Sequence, residues 1–256
     1  MKSLVWFLVG VFSLSNISIR ASTQTVEIER SQSRDSLKEN VSKEFREFVH
    51  GSKEMMYQYE KFVDTLNRAV KENRGLTEKD AEKILDALVY SAKCHQQQIR
   101  KNLQKTPYVS HPISVAEIVL TLGQVRDKDI IIAALLHDTI ENTQATYQEI
   151  SKRFGSKVEG YVREVTLDKD LSSVKKKKLQ IIQAPNKSKG AATVLLADHA
   201  FNLNNLIQDA PADWTRERID LYFQWVQSVV DRLPDANSGL KANVNQIIDQ
   251  YWQKQS

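Results

Sequence analysis

The sequence predicts an all-α protein of 256 residues, and three observations lead to that fold class. Apolar residues recur near the 3.6-residue period of a helix, and no segment alternates with the period of two that a half-buried strand requires. Glycine (8) and proline (5) are scarce, as expected for long helices joined by short connections. The apolar fraction of 41% is enough for a core, so one large domain, or a medium domain with an extension, fits the length.

The N-terminal segment 1–21 has the pattern of an export signal. A positive start at Lys2 precedes the apolar run 4–14, which is too short to span a membrane, and small residues follow up to Ala21. The pattern predicts a periplasmic or secreted protein with no stable membrane span after processing, and an uncleaved anchor is the alternative. Processing would remove Lys2 and Arg20 and lower the formal charge from +4 to +2.

Residues 22–74 predict a disordered segment followed by a helical extension. Residues 22–34 are polar and weakly patterned, which indicates disorder. Residues 35–74 predict two helices that share an apolar stripe. The stripe must pack on the main domain or on a partner, so a homodimer is left open. Its members are Phe45, Phe48, Met55, Met56, Tyr59, Phe62 and Leu66.

From residue 75 to residue 256 the pattern predicts one domain built from a series of helices. Thr77, with Asp80 three residues later, marks a helix start, and this helix ends before Pro107. The next helix is predicted to begin after Pro112, because proline is well placed at a first helical turn. A buried helix then runs from about Lys128 to Glu141. Further helices are predicted at 146–154, 157–168, 172–183, 191–208, 212–233 and 238–253.

The helix 128–141 combines an apolar body with a polar end. Ile130–Leu136 contains no polar residue, which is typical of a helix buried on most of its surface. Four polar residues follow at once, and at about 100° per residue they fall within one sector of about 140°. Burying them costs several kcal/mol unless something satisfies them. These residues are His137, Asp138, Glu141 and Asn142.

A divalent cation would remove this burial penalty. His111, at the mouth of a helix, and Asp198, which interrupts an apolar segment, add two candidate ligands. Mixed nitrogen and oxygen ligands suit Mn²⁺, Fe²⁺ or Zn²⁺, whereas Ca²⁺ prefers an all-oxygen cage. The predicted metal ligands are therefore His111, His137, Asp138 and Asp198.

Three further residues can support chemistry at such a cation. A bound cation lowers the pKa of its water, and Glu141, one turn from His137, could act as the general base. Arg100 and Lys101 could hold phosphate oxygens. The run 175–178, four lysines, is interpreted as a solvated helix face.

Charge and cysteine content limit the classes of partner. The net charge of +4 is a mild excess that fits a small anionic substrate and gives no reason to expect nucleic acid, which usually needs a clustered basic face. The chain has one cysteine, Cys94, so it cannot form a disulfide within itself.

Four motifs carry a resemblance to a known family. They are "HxxQxRK" at 95–101, "TPYVSHP" at 106–112, "ALLHDTIENT" at 134–143 and "LADHAFNL" at 196–203. In their order and spacing the sequence resembles the HD-domain hydrolases of the RelA/SpoT group, and within it the stand-alone small alarmone hydrolases of the metazoan SpoT-homologue type. The likeness covers roughly residues 75–253.

The resemblance implies an all-helical HD fold that holds one Mn²⁺. It implies removal of the 3′-pyrophosphate of guanosine tetra- or pentaphosphate, which gives GDP or GTP and pyrophosphate. Matched residue by residue, it implies metal binding by the four ligands named above and places Glu141 beside the attacking water. It implies that Arg100 faces a phosphate. The nucleotide pocket is then expected to be lined by Lys101, Asn202, Arg218 and Tyr222.

The sequence departs from the family pattern in three respects. Asn142 replaces an aspartate, and because an amide can bind a water but cannot take its proton, turnover could be slow, or the chain could be a nucleotide-binding module. His199 replaces a residue that is usually basic. An export signal is unusual because the alarmone is made in the cytoplasm, so an adenosine alarmone or the 2′-phosphate of NADPH is an alternative substrate.

Overall fold

The computed structural model describes residues 39–72, 75–100 and 105–254. Contacts divide the chain into two compact units, Met1–Glu44 and Phe45–Ser256, and only residues 39–44 of the first unit are described. The predicted division at residues 74 and 75 stays a prediction. The predicted signal segment 1–21 and the disordered segment 22–34 lie outside the described residues.

The described residues are helical for most of their length, as predicted. No strand occurs among them, and a single isolated bridge joins Ile99 to Pro107. The first helix, α1, is described over residues 39–48. The later helices are α2 (Lys53–Lys71), α3 (Glu78–Cys94), α4 (Ser110–Thr121), α5 (Lys128–Leu136), α6 (Thr139–Asn142), α7 (Tyr147–Phe154), α8 (Ser156–Val165), α9 (Ser173–Gln183), a 3₁₀ turn (Ala184–Asn186), α10 (Lys189–Gln208), α11 (Arg216–Val230) and α12 (Ser238–Gln253).

The core forms around α5 and α10. In α5 every residue from Ile131 to Leu136 is buried, and in α10 every residue from Gly190 to Ala197 is buried. A helix that is apolar on all sides is stable only inside other helices. α10 accordingly packs against α4, α5, α8, α11 and α12, while α5 also packs against α3. The helix that precedes His137 and the helix that carries Asp198 therefore meet in the interior.

The prediction of one continuous helix from Lys128 to Glu141 is wrong. α5 ends at Leu136, residues His137 and Asp138 form a turn, and the short α6 begins at Thr139. The buried hydroxyl of Thr139 donates to the carbonyl of Leu136 at 2.6 Å, and such local bonds compete with the regular helical ladder. The angular argument that put four polar residues on one face therefore does not hold.

The apolar stripe of the extension is buried in the main body. Phe45 stacks on Tyr59 with ring centroids 4.9 Å apart, and α2 packs on α3 and α4. Of the seven stripe residues, only Phe48 is not fully buried. Gln58 Nε2 also donates to the Ser110 carbonyl at 2.9 Å and to Ser114 Oγ at 2.8 Å. The stripe residues therefore pack on the main domain, one of the two possibilities that the sequence left open.

Two local features fix the packing of single helices. The predicted start at Thr77 is confirmed by a capping box with Asp80. Gly190, near the start of α10, lies so close to the ring of Tyr161 that an added Cβ would overlap it. α8, which carries Tyr161, can therefore approach α10 only because residue 190 has no side chain.

Within the described ranges, no helix has both the length and the apolar character needed to cross a bilayer. The thiol of Cys94 is free, in agreement with its being the single cysteine of the sequence.

Candidate active site

Three separate chain segments bring the four predicted metal ligands together. His111 lies in the first turn of α4, His137 and Asp138 form the turn after α5, and Asp198 lies in the middle of α10. The Nε2 atoms of the two histidines are 3.1 Å apart. Asp198 Oδ1 lies 3.1 Å from His111 Nε2 and 3.8 Å from His137 Nε2.

Asp138 approaches the same point from the other side. Its Oδ2 lies 3.5 Å from His111 Nε2 and 3.4 Å from His137 Nε2. Ligand atoms about 2.1 Å from one ion, at tetrahedral or octahedral angles, are about 3.0–3.4 Å from each other. Four of the five separations, at 3.1–3.5 Å, are close to these values, and the distance of 3.8 Å from Asp198 Oδ1 to His137 Nε2 is somewhat longer. His111, His137 and Asp198 form a candidate metal-binding group by distance alone.

The tautomer of His137 suits a metal ligand. Its Nδ1 lies 2.8 Å from the carbonyl of Ala134, and because a carbonyl only accepts, Nδ1 must carry the proton. In the neutral ring, Nε2 then directs its lone pair into the site, the usual arrangement for a histidine whose other nitrogen is held by the backbone.

The electrostatics of the site call for a cation. Burial would raise the pKa of Asp198, but the hydrogen bond to His111 and the charges of His111 and His137 hold it well below its usual range. Burial likewise opposes ionisation of Asp138, yet the two histidines lower its pKa. Burial lowers the pKa of His111 in spite of the neighbouring carboxylates. For His137, burial is outweighed by the charges of Asp138 and Asp198, which raise its pKa. The two carboxylates thus favour a positive charge between the imidazoles, and a divalent ion bound there would supply that charge in place of a proton.

A hydrogen-bonded layer orients the carboxylates. Asn202 Nδ2 donates to Asp198 Oδ1 at 2.7 Å. The hydroxyl of Tyr108 donates to Asp138 Oδ2 at 2.6 Å and accepts from Asn142 Nδ2 at 3.2 Å. Burial and the charge of Asp138 raise the pKa of Tyr108, so its hydroxyl remains a donor at neutral pH.

A larger cavity of about 430 Å³ opens on one side of this centre. Arg100, Asn202 and Tyr222, all predicted to contact substrate, line it together with Asp138 and Asp198. The guanidinium of Arg100 lies over the ring of Phe201 at 5.1 Å from its centroid. Burial lowers the pKa of Arg100, whereas Asp198 and Asp138 favour its charged form. The other lining residues include Ile99, Tyr108, His111, Asn205, Leu206, Asp209, Pro211 and Trp214.

A smaller cavity of about 260 Å³ adjoins the same centre and has a largely different set of lining residues. It also contains Asp138 and Asp198, so the two cavities meet at the candidate metal centre. The remaining lining residues include His137, Glu141, Ser173, Lys176, Lys177, Gln180 and Trp225. This cavity is therefore the one with lysines in its wall.

After the helix break, the side chains of Glu141 and Asn142 have different surroundings. Glu141 lines the smaller cavity, where Oε1 accepts from Lys176 Nζ at 2.6 Å and Oε2 accepts from the Leu167 amide at 3.3 Å. Asn142 instead contacts Tyr108, on the far side of Asp138. Glu141 is thus next to the candidate ligands, whereas the Asn142 side chain reaches them only through the tyrosine hydroxyl.

Arg218, another predicted substrate residue, is not among the described residues that line the larger cavity. It is exposed, stacks on Trp214 at 4.3 Å from its centroid and has a loose ion pair with Asp213 at 3.6 Å. Trp214 itself lines the larger cavity. Lys101 lies outside the described residues.

Sequence reasoning missed Tyr108, Trp214 and two of the four lysines. Tyr108 belongs to the motif "TPYVSHP", but nothing in the motif indicates that its hydroxyl contacts a metal ligand. The interpretation of run 175–178 as a solvated face is wrong for Lys176 and Lys177, which are half-buried in the cavity wall. Four consecutive helical residues span about 300° of the helix circumference, so a run of this length necessarily places some members inward.

Comparisons with known proteins agree with this geometry. A family model described as an HD domain matches residues 87–206. The guanosine-3′,5′-bis(diphosphate) 3′-pyrophosphohydrolase MESH1 of Xenopus tropicalis is 42% identical over 168 residues, which are 66% of this chain and 94% of the relative. The enzyme of the same name from Homo sapiens is 40% identical over 171 residues, 67% of this chain and 96% of the relative.

The fold of the chain is also similar to that of a solved structure. It is described as a metazoan ortholog of SpoT that hydrolyses ppGpp, and it matches with a TM-score of 0.64 at 42% identity. The match covers 66% of this chain and 95% of the solved one.

The expectation of a periplasmic or secreted protein is wrong. Relatives that are 40–42% identical over nearly their whole length are named for the hydrolysis of a guanosine bis(diphosphate), the nucleotide for which export already conflicted with synthesis in the cytoplasm. Agreement with an export-signal pattern in 21 residues carries less weight than agreement over 168 aligned positions.

Proposed function

Because the chain belongs to the HD-domain family that includes the MESH1 pyrophosphohydrolases, we propose that it hydrolyses guanosine 3′,5′-bis(diphosphate) and its pentaphosphate analogue at the 3′-pyrophosphate. The products are GDP or GTP and pyrophosphate. The observation that carries this proposal is the convergence of two imidazoles and two carboxylates where a larger and a smaller cavity meet.

The four converging side chains would hold one divalent cation. We take Mn²⁺ as the metal, with Zn²⁺ or Fe²⁺ as alternatives, because the ligand set mixes imidazole nitrogen with carboxylate oxygen. When bound, the ion supplies a Lewis acid that stabilises charge on phosphoryl oxygens and lowers the pKa of a water. The ligands are His111, His137, Asp138 and Asp198.

Glu141 acts as the general base of the proposed reaction. It takes a proton from the attacking water, whose oxygen forms a bond to the phosphorus attached to the ribose 3′-oxygen. The bond between that phosphorus and the 3′-oxygen breaks, the 3′-oxygen takes up a proton from solvent to become a hydroxyl, and Glu141 releases its proton to solvent. The ion pair with Lys176, at 2.6 Å, fixes the direction of the Glu141 carboxylate.

The larger cavity would hold the nucleoside and its 5′-phosphates. Arg100 is positioned beside Asp138 and Asp198 at the inner end of this cavity, where a guanidinium can bind phosphate oxygens. Asn202 and Tyr222 line the same wall. Lys101 and Arg218 are proposed as further contacts to the nucleotide.

Asn142 has a positioning role in this proposal. Its amide donates to the Tyr108 hydroxyl, which donates in turn to Asp138. An aspartate at residue 142 would offer this hydroxyl a second acceptor for its single proton. Asn142 therefore fits the tyrosine and orients a metal ligand through it, while the missing acid leaves proton transfer to Glu141.

A nucleotide panel tests the proposal. The purified protein is incubated with Mn²⁺ and guanosine 3′,5′-bis(diphosphate), its adenosine counterpart or NADPH, and the release of pyrophosphate and phosphate is followed. Pyrophosphate release from the guanosine compound, lost in His137→Ala, supports the proposal. Release only from another compound assigns a different substrate to the same site.

The absence of an acid at residue 142 favours one alternative, a nucleotide-binding module with weak or no turnover. Tight nucleotide binding without release in the same panel would assign that role. In that case Asn142→Asp separates the explanations, because a gain in rate shows that the missing acid limits turnover.

A further inference from the structure

Lys177 is a half-buried cation that has no role in the proposed metal centre or as the general base. Its ammonium lies 5.1 Å from the ring centroid of Tyr222 and 5.0 Å from that of Trp225. The indole of Trp225 donates to the Lys177 carbonyl at 3.2 Å. The lysine is therefore held in place at both its backbone and its side chain.

The described residues provide no acid that pairs with this ammonium. Burial lowers the pKa of Lys177, and the nearby Arg218 lowers it further. Its neighbour Lys176, by contrast, has an ion pair with Glu141. A half-buried charge between two aromatic rings is stabilised in part by cation–π attraction, but it gains most when an anion binds beside it.

The smaller cavity is the space beside this lysine. Lys177 and Trp225 line it together with Asp138, Asp198 and Glu141. Three carboxylates, two lysines and one divalent ion leave a net charge of one positive unit there. The volume of about 260 Å³ is several times the ~30 Å³ that one water occupies in the liquid, so a phosphate group fits.

We propose that the smaller cavity is a binding site for the distal phosphate of the 3′-pyrophosphate, and that Lys177 is the residue that binds it. The inference rests on the proposed function, in which the nucleoside fills the larger cavity and the attacked phosphorus lies at the junction. The distal phosphate must then extend past the metal ligands, and the smaller cavity is the space that adjoins those ligands and shares Asp138 and Asp198 with the larger one. Lys177 thereby distinguishes a diphosphate ester from a monophosphate ester.

Calorimetry with inorganic pyrophosphate and with orthophosphate tests this assignment without any need for turnover. The holoprotein loaded with Mn²⁺ is titrated as wild type and as Lys177→Met, which keeps the length of the side chain and removes its charge. We expect the substitution to weaken pyrophosphate binding about 10- to 100-fold, as for the loss of a charge-assisted hydrogen bond, and to leave orthophosphate binding unchanged. Lys177→Arg should retain most of the pyrophosphate affinity.

Lys178→Met is the matched control, because Lys178 belongs to the same helix, carries the same charge and is exposed. Equal loss of affinity in Lys177→Met and Lys178→Met would reduce the effect to general electrostatics and overturn the assignment. Unchanged pyrophosphate binding in Lys177→Met would overturn it as well. Melting temperatures of all three variants verify that they are folded.

A kinetic readout separates this inference from the proposed function. Where the wild type hydrolyses the substrate, Lys177→Met should raise KM for the 3′-diphosphate at least tenfold and leave KM for a 3′-monophosphate analogue unchanged. A wild type that releases nothing from any nucleotide contradicts the proposed function, whereas the pyrophosphate titration still decides the role of Lys177.

Discussion

Tyr108 links the metal centre to a residue that departs from the family pattern. Its hydroxyl joins Asp138 to Asn142 through two hydrogen bonds. Groups that hold metal ligands from behind commonly change metal affinity by 10- to 100-fold when they are removed. The tyrosine therefore connects the identity of residue 142 to the strength of metal binding.

Replacing Tyr108 with phenylalanine should weaken Mn²⁺ binding by roughly 10-fold or more, because Asp138 loses the donor that orients it. Isothermal titration with Mn²⁺ measures the effect. Tyr57→Phe is the control. It removes the same hydroxyl from a tyrosine that is 70% exposed and far from the proposed ligands. Equal Mn²⁺ affinities of Tyr108→Phe and the wild type would show that this hydrogen bond does not support the site.

At the scale of residues, the sequence identified the groups that converge but not the directions in which all of them point. His111, His137, Asp138 and Asp198 meet although 87 positions separate the first from the last. Motif spacing could predict that convergence. It could not predict that Glu141 pairs with Lys176, because that contact depends on where α9 lies relative to α6.

At the scale of elements, most helices follow from apolar periodicity, while the break after Leu136 does not. Periodicity reports which residues face the interior, but every residue from Ile131 to Leu136 is buried, so the apolar pattern cannot show where the helix ends. The break coincides with the hydrogen bond from the Thr139 hydroxyl to the Leu136 carbonyl, which the sequence alone does not reveal.

Thr139→Val should lower the free energy of unfolding by about 1–3 kcal/mol, because the buried carbonyl of Leu136 loses a donor. Urea denaturation measures the change, and Mn²⁺ affinity should fall as the turn that holds His137 loosens. Thr121→Val is the control, since it removes the same kind of bond, to the Glu117 carbonyl, at an exposed site. A loss no larger than that of Thr121→Val would contradict the importance of the turn.

Two helical glycines should respond to alanine in opposite directions. Gly190→Ala should lower the melting temperature, because the new methyl group overlaps the ring of Tyr161 and forces α8 away from α10. Gly160→Ala should raise stability by about 1 kcal/mol, because no atom lies within 4 Å of the added Cβ and alanine is the better helix former. Differential scanning calorimetry compares the two, and a stabilised Gly190→Ala would refute the close approach.

At the scale of the whole molecule, the proposed metal ligands come from α4, from the turn after α5 and from α10, three segments that are distant in sequence. An ion bound by three distant segments binds the folded chain and not the unfolded one. Metal binding should therefore appear as global stability.

Removing the metal with a chelator should lower the melting temperature by roughly 5–10 °C. Free Mn²⁺ at 100 times its Kd stabilises the folded state by about 2.7 kcal/mol, and for a chain of this size each kcal/mol shifts the midpoint by about 2–4 °C. A thermal melt with and without chelator measures the shift. His137→Ala should melt at the same temperature in both conditions; identical melts of the wild type would argue against a bound ion.

The fold class was predictable for the whole molecule because helical periodicity is a local property. The location of the protein in the cell could not be predicted from its N-terminal segment, because the export-signal pattern is short and compositional. The similarity to the MESH1 enzymes, by contrast, extends over two thirds of the chain. Long-range agreement therefore outweighs a terminal pattern when the two conflict.

The side-chain amide of Gln58 on α2 donates a hydrogen bond to the carbonyl of Ser110, which begins α4 and directly precedes His111. α2 lies outside residues 87–206, which match the HD domain, so this support for the turn that holds His111 comes from the extension. A truncated protein that keeps only residues 87–206 would lose the bond from Gln58. A low activity of that fragment would then reflect a poorly held histidine and not the activity of the full-length protein.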